Sequence, residues 1–148
     1  MSRIKGKNTT PERYISSLLR AAELNFRKHD KTLPGCPDFV FPKAKVAVFV
    51  NGDFWHGWRS SVWQHRLPSF WRKKIAENRE RDAKNFRKLQ RLGWKSIRVW
   101  EHQVEEDVLW CVRRIVRGLG VGSVNWKRIR DARSSLPPLK RRNRLPKP

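Results

Sequence analysis

Two apolar segments joined by a short turn do most to limit what this chain can fold into. Asp38-Phe39-Val40-Phe41 reads as a short strand, Pro42-Lys43 as a tight turn, and Val46-Ala47-Val48-Phe49-Val50 as a second strand with no polar position in it. A strand that is apolar at every position offers no face to water, so both faces of its sheet must be covered by other elements. The flanking sequence supplies them. Thr9 or Thr10 is an N-cap, Pro11 suits a first helical turn, and Glu12 suits the positive end of the helix dipole. Tyr14, Ile15, Leu18, Leu19 and Ala22 then recur at helical spacing, predicting a first helix over about 10–28. Leu33-Pro34-Gly35-Cys36-Pro37 is a rigid turn. Ser69 can cap a long helix over about 70–92, closed by Gly93. Residues 94–100 alternate as a strand. A last helix over about 103–117 carries Val104, Val108, Cys111 and Ile115 on one stripe. The order helix, strand, strand, aromatic loop, helix, strand, helix is an α/β pattern.

Composition narrows the partner. The 148 residues hold 35 Lys+Arg against 13 Asp+Glu, a net charge of +22. Such a charge works against compaction and points to a polyanion. Eight Trp and seven Phe argue against a disordered polycation. No apolar run reaches the roughly 18–20 residues that span a bilayer, and no apolar stretch follows the basic N-terminus as in a signal peptide. Cys36 and Cys111 alone cannot build a disulfide scaffold or a four-ligand zinc site. These features predict a soluble, intracellular domain facing nucleic acid. Residues 1–10 read as a flexible basic arm, with Arg3, Lys5 and Lys7 as DNA contacts, and residues 11–117 as the folded domain. Residues 118–148 read as a flexible basic tail, with nine basic residues and one acid after position 126.

Four groups of residues carry candidate chemistry. Asp38, between a Pro-Gly-x-Pro turn and an apolar strand, is placed to hold a divalent cation beside a phosphate, since magnesium needs only one or two protein carboxylates. Terminating a turn or capping a backbone group is the plainer role for it. His56, at the end of the second strand, is either a solvated loop residue or a general base that takes a proton from an attacking water. His29 and His65 have no such setting and read as surface residues. Phe54 and Trp55, amid positive charge, suit insertion between base steps. Phe26, Phe86, Trp94 and Trp110 fall on core stripes instead. Trp71, Lys74, Asn78 and Asp82 share one helix face, a stripe that is wetted surface, a reader of base edges or a support for His56. Ile75, Phe86 and Leu89 make the adjoining apolar face.

Taken in order, MSRIKGKNT-x-PE (1–12), LPGCPDFVF (33–41), VAVFVNGDFWHG (46–57), FW-x-x-KI-x-x-N-x-x-RD (70–82) and LGW-x-x-x-RVWEH (92–102) resemble the very-short-patch repair (Vsr-type) mismatch endonucleases. The resemblance runs to about residue 117. It implies a restriction-endonuclease-like core, a central mixed sheet flanked by helices. It also implies a magnesium-dependent nick 5′ of the thymine in T·G mismatches left by deamination of 5-methylcytosine. Asp38 resembles the metal-binding aspartate, with the Val50 carbonyl as a further ligand. His56 resembles the base, Asp82 its supporting carboxylate, and Glu12 a contributor from the first helix. Phe54, Trp55 and Trp71 resemble an aromatic wedge, with Met1 or Ile4 entering from the minor groove, and Lys74 and Asn78 resemble contacts to the target. The expected setting is a monomer in the bacterial cytoplasm acting on double-stranded DNA, with mismatch-repair accessory proteins as further partners.

The chain departs from the family pattern in two places. Family members hold a structural zinc through Cys and His near the FWH segment and after a later Trp-Glu. Here Asp53, Trp58, Ser60 and His102 stand there, so no structural zinc is expected and an Asp53–His102 ion pair is a candidate replacement. Asn51 stands where some relatives carry a second His. Two other readings keep part of this pattern. One is a Vsr-like nickase with different or relaxed sequence choice, altered in the loop at 57–67 and the tail. The other is a non-catalytic DNA-binding protein, for which a carboxylate such as Asp38 in a polyanion groove serves no purpose unless a cation bridges it to phosphate.

Overall fold

A computed structural model describes residues 9–54 and 56–140, without the side chains of 61 and 62. The arm residues Met1, Arg3, Ile4, Lys5 and Lys7, together with Trp55 and 141–148, lie outside the described residues. The elements, in chain order, are α1 (Thr10–Ala21), β1 (Arg27–Lys28), β2 (Phe39–Phe41), β3 (Val46–Asn51), α2 (Ser60–Trp63), α3 (Ser69–Arg91), β4 (Lys95–Trp100), α4 (Glu101–Glu106), α5 (Val108–Leu119) and α6 (Trp126–Ser134). The four strands form one mixed sheet in the order β1-β2-β3-β4, antiparallel except for the parallel β3–β4 pair. No described helix is long and apolar enough to cross a membrane.

The unbroken apolar run of β3 is buried at every position because helices cover both faces. Val46, Val48 and Val50 join Phe39, Phe41, Ile97 and Val99 against α1, α4, α5 and α6. Ala47 and Phe49 point the other way and pack on Leu89 of α3, with Phe86 and Trp94 at the edge. Ile75 on the same helix is buried too.

Thr9 caps α1, its hydroxyl accepting from the Glu12 N–H. The helix stops at Ala21, however, not near 28. Glu23 takes a left-handed conformation, and the chain turns out so that Phe26 packs on Phe39 and Phe41 with ring centroids 5.5 and 5.9 Å apart. Residues 27–28 thereby become an edge strand. Ser69 is the first residue of α3 and not its cap, and no side chain caps that end. At the other end Gly93, at φ +85°, reverses the chain, with its own N–H on the Gln90 carbonyl and the Trp94 N–H on that of Leu89. Trp94 therefore belongs to this cap and β4 begins at Lys95.

The expected helix over 103–117 is two helices broken at Asp107, whose carboxylate caps α5 by accepting from the Trp110 N–H. The predicted stripe survives the break, since Val104, Val108, Cys111 and Ile115 are all buried. Trp110 is not core. It is 42% exposed, with the Arg114 guanidinium 5.2 Å from its ring. The segment read as a tail also differs. Within it, α6 is capped by Asn125, buries Ile129 completely and packs on α1, and the Tyr14 hydroxyl donates to the Pro137 carbonyl at 2.6 Å. Trp126 and Ala132 of the same helix pack beside Ile129 on the main core.

Candidate active site

Two acid–histidine clusters hang from adjacent residues at the end of β3. The first centres on Asp38, buried just before β2. The antiparallel register lets its Oδ2 accept from the Val50 N–H at 2.7 Å, so the backbone-capping role foreseen for Asp38 is real. Capping uses one carboxylate oxygen. The other, Oδ1, faces the His29 Nε2 at 3.9 Å, and that nitrogen donates to the Glu12 Oε2 at 2.9 Å. Glu12 is buried in the first turn of α1. Ligand atoms of Glu12, His29 and Asp38 all lie within 4.8 Å of one another, a set of hard oxygens and one imidazole nitrogen suited to a divalent cation.

His29 is therefore no surface residue, contrary to its sequence reading. The signal for it was the strand register. Lys28 pairs with Phe39, which sets His29 opposite Asp38, with the His29 N–H on the Asp38 carbonyl at 3.1 Å. Extending the first helix to 28 hid that register. His65 is exposed, as expected.

The second cluster forms around His56, in the loop after β3. Its Nδ1 donates to the Asp82 Oδ2 at 2.6 Å, and the Arg98 Nη2 donates to the same oxygen at 3.1 Å. With the Asn51 amide turned so that its oxygen faces the guanidinium, that oxygen accepts from the Arg98 Nη2 at 3.1 Å and Nε at 2.5 Å. Burial lowers the Arg98 guanidinium from its ordinary value, with Arg79 adding to the effect and Asp82 opposing it. The helix-face spacing thus set Asp82 where it meets His56, while Arg98 was missed because an arginine in an alternating strand looks like its solvent side.

The described part of the loop that carries His56 is held by backbone hydrogen bonds. His56 donates its backbone N–H to the Gly52 carbonyl and Trp58 to that of Asp53. Gly57 sits at φ +71°, and a Cβ there would meet the Arg79 Cδ at 2.6 Å, so only glycine fits. The predicted Asp53–His102 pair is present at 2.8 Å, with Trp58 against the His102 ring and against Trp100, centroids 4.5 and 5.1 Å away. These contacts tie the loop to the start of α4.

The candidate DNA-contacting residues are spread along the loop and α3. Phe54 stacks on buried Trp63 at 5.5 Å with planes 16° apart. Trp71 is half-buried and packs edge-on against Phe70, itself 66% exposed. Lys74 is half-buried. Asn78 is buried, with its side-chain oxygen accepting from Arg81 at 2.6 Å.

A mixed sheet covered on both faces, with paired acids and histidines where its central strand ends, defines a nuclease built on a restriction-endonuclease-like core. The chain belongs to the DNA mismatch endonuclease Vsr family, whose model matches residues 1–61. It is 39% identical over 110 residues to the type II nicking enzyme V.XorIIP of Xanthomonas oryzae, covering 72% of this chain and 79% of that one. It is 37% identical over 121 residues to V.NmeAIP of Neisseria meningitidis, covering 79% and 84%. With the DNA mismatch endonuclease Vsr of Escherichia coli it shares 38% identity over 105 residues, covering 68% and 66%. The chain is accordingly a DNA endonuclease, a hydrolase of phosphodiester bonds.

Proposed function

We propose that this enzyme nicks one strand of duplex DNA 5′ of the thymine at T·G mismatches, in a magnesium-dependent reaction. The observation that carries the reading is the pair of clusters anchored at Val50 and Asn51, one able to hold a cation and the other a base. Asp38, with the Val50 carbonyl, would hold the magnesium ion, and Glu12 lies beside it. Bound magnesium neutralises charge on the phosphoryl oxygens and polarises the phosphorus centre. His56 with its Nδ1–H on Asp82 has its other ring nitrogen, Nε2, in the acceptor tautomer, the form that takes a proton from the attacking water. Asp82 stabilises the imidazolium that results. A base contributes about 10²- to 10⁴-fold, well short of the roughly 8 kcal/mol or more that such hydrolysis demands, so charge neutralisation supplies much of the remainder.

Phe54, Trp55 and Trp71 form the wedge in this reading, Met1 or Ile4 enter from the minor groove, Arg3, Lys5 and Lys7 bind phosphates, and Lys74 and Asn78 contact the target. The net charge of +22 supports a DNA partner. Purified protein incubated with matched and T·G duplexes, with and without magnesium, tests the proposal once the nick is mapped. Asp38→Ala should abolish nicking and leave DNA affinity within about twofold. Undiminished nicking by that variant overturns the metal assignment. The second reading is a Vsr-like nickase with different or relaxed sequence choice, altered in the loop at 57–67 and the tail. Equal rates on matched and mismatched duplexes would select it.

A further inference from the structure

Arg98 lies on β4, in the strand register opposite Phe49, and its side chain reaches the end of the sheet where Asn51 closes β3. Its guanidinium is held by two rings and two side-chain acceptors. The ring centroids of Trp100 and Phe86 lie 4.6 and 5.0 Å from its Cζ. Asn51 accepts from two of its nitrogens, Nη2 and Nε, and Asp82 accepts from Nη2 as well. The Arg98 backbone is tied too, its carbonyl accepting from the Arg114 Nη1 at 2.9 Å. A guanidinium stacked and hydrogen-bonded in this way aims one N–H, that of Nη2, at the Asp82 oxygen.

We propose that Arg98 is a positioning residue for His56. Its Nη2, held in place by Asn51, donates to the Asp82 Oδ2, the oxygen that also accepts from the His56 Nδ1–H, and so sets the tautomer and aim of the imidazole. Asn51 is the anchor of that guanidinium, which gives a role to the residue standing where some relatives carry a second histidine. The inference rests on the reading of His56 as the base. An Asp82 held only by His56 would lose one of the two partners that fix its Oδ2, and the imidazole would turn with it.

Arg98 also brings its charge to the pair, with its Nη2 3.1 Å from the Asp82 oxygen and Arg79 of α3 acting on the same guanidinium.

The test uses the full chain with Arg98→Met, which keeps the apolar stem, and Arg98→Lys, which keeps the charge without the fork. Single-turnover nicking of a T·G duplex is measured, and the His56 Nδ1–H resonance is followed by NMR with ¹⁵N-labelled histidine. Arg98→Met should slow nicking by about 10- to 100-fold, the range typical for partners that orient a functional histidine. DNA affinity should stay within about threefold, and the resonance should leave its hydrogen-bonded downfield position. Arg98→Lys should recover only part of the rate. Unchanged rate and resonance in Arg98→Met overturn the proposal, as does a drop confined to DNA affinity, which would make Arg98 a phosphate-binding residue. If Arg98→Met does not fold, Arg98→Lys decides: full rate with an unmoved resonance refutes the fork's role. Retention of nicking by His56→Ala overturns the assignment of the base instead, a result independent of the Arg98 resonance data.

Discussion

Replacing Ile129 by alanine tests whether the basic C-terminal segment is part of the folded domain. Ile129 has no exposed surface and sits in the main core where α6 meets α1. The substitution removes three carbons, worth about 2.4 kcal/mol at roughly 0.8 kcal/mol each. The cavity left behind adds to this, and a total of about 3–4 kcal/mol falls inside the range for buried Ile→Ala changes. For a chain of this size each kcal/mol moves Tm by roughly 2–4 °C, so Tm should fall by about 6–16 °C. Urea denaturation followed by far-UV circular dichroism gives the free energy directly, with Arg130→Ala, on the exposed face of the same helix, as the control. A solvated tail would lose no more than about 0.5 kcal/mol. A loss that small at Ile129, matched by Arg130→Ala, would refute the docking of α6 and its packing on α1.

Other outcomes follow from the same structure. Trp55→Ala should lose preference for T·G over matched duplex before it loses charge-driven binding, as read by competition at fixed salt; an unchanged preference counts against the wedge. Deleting 141–148 removes Arg141, Arg142, Arg144 and Lys147 without disturbing Ile129, and should lower the slope of log affinity against log salt by about 0.9 for each phosphate that these side chains neutralise. An identical slope shows that they neutralise none. Burial pushes the Cys111 thiol from 9.0 up to about 12, so the folded protein holds that proton more tightly than the unfolded chain. Its contribution is complete below pH 9 and declines as pH rises from 9 towards 12. Cys111→Ala should flatten the alkaline loss of stability, and in the native protein Cys36, half-buried, should react with a thiol reagent well before Cys111.

The sequence by itself determined what repeats locally or is set by one residue's conformational limits. The apolar run of β3 required two covering layers, Thr9 and Gly93 marked helix ends through cap chemistry, and the spacing of α3 separated Ile75 and Leu89 from Asp82. The motifs also carried Asp38, His56 and Asp82 into one expected site. What only the tertiary structure decided depends on partners distant in the chain. His29 became a neighbour of Asp38 through antiparallel register, Arg98 reached Asp82 across a strand–helix junction, and Ile129 found its place on α1. Periodicity reports which face of an element is apolar, but not which other element meets it. A histidine, an arginine and an isoleucine that look incidental along the chain therefore acquire their roles only when the sheet closes and its two helical layers settle.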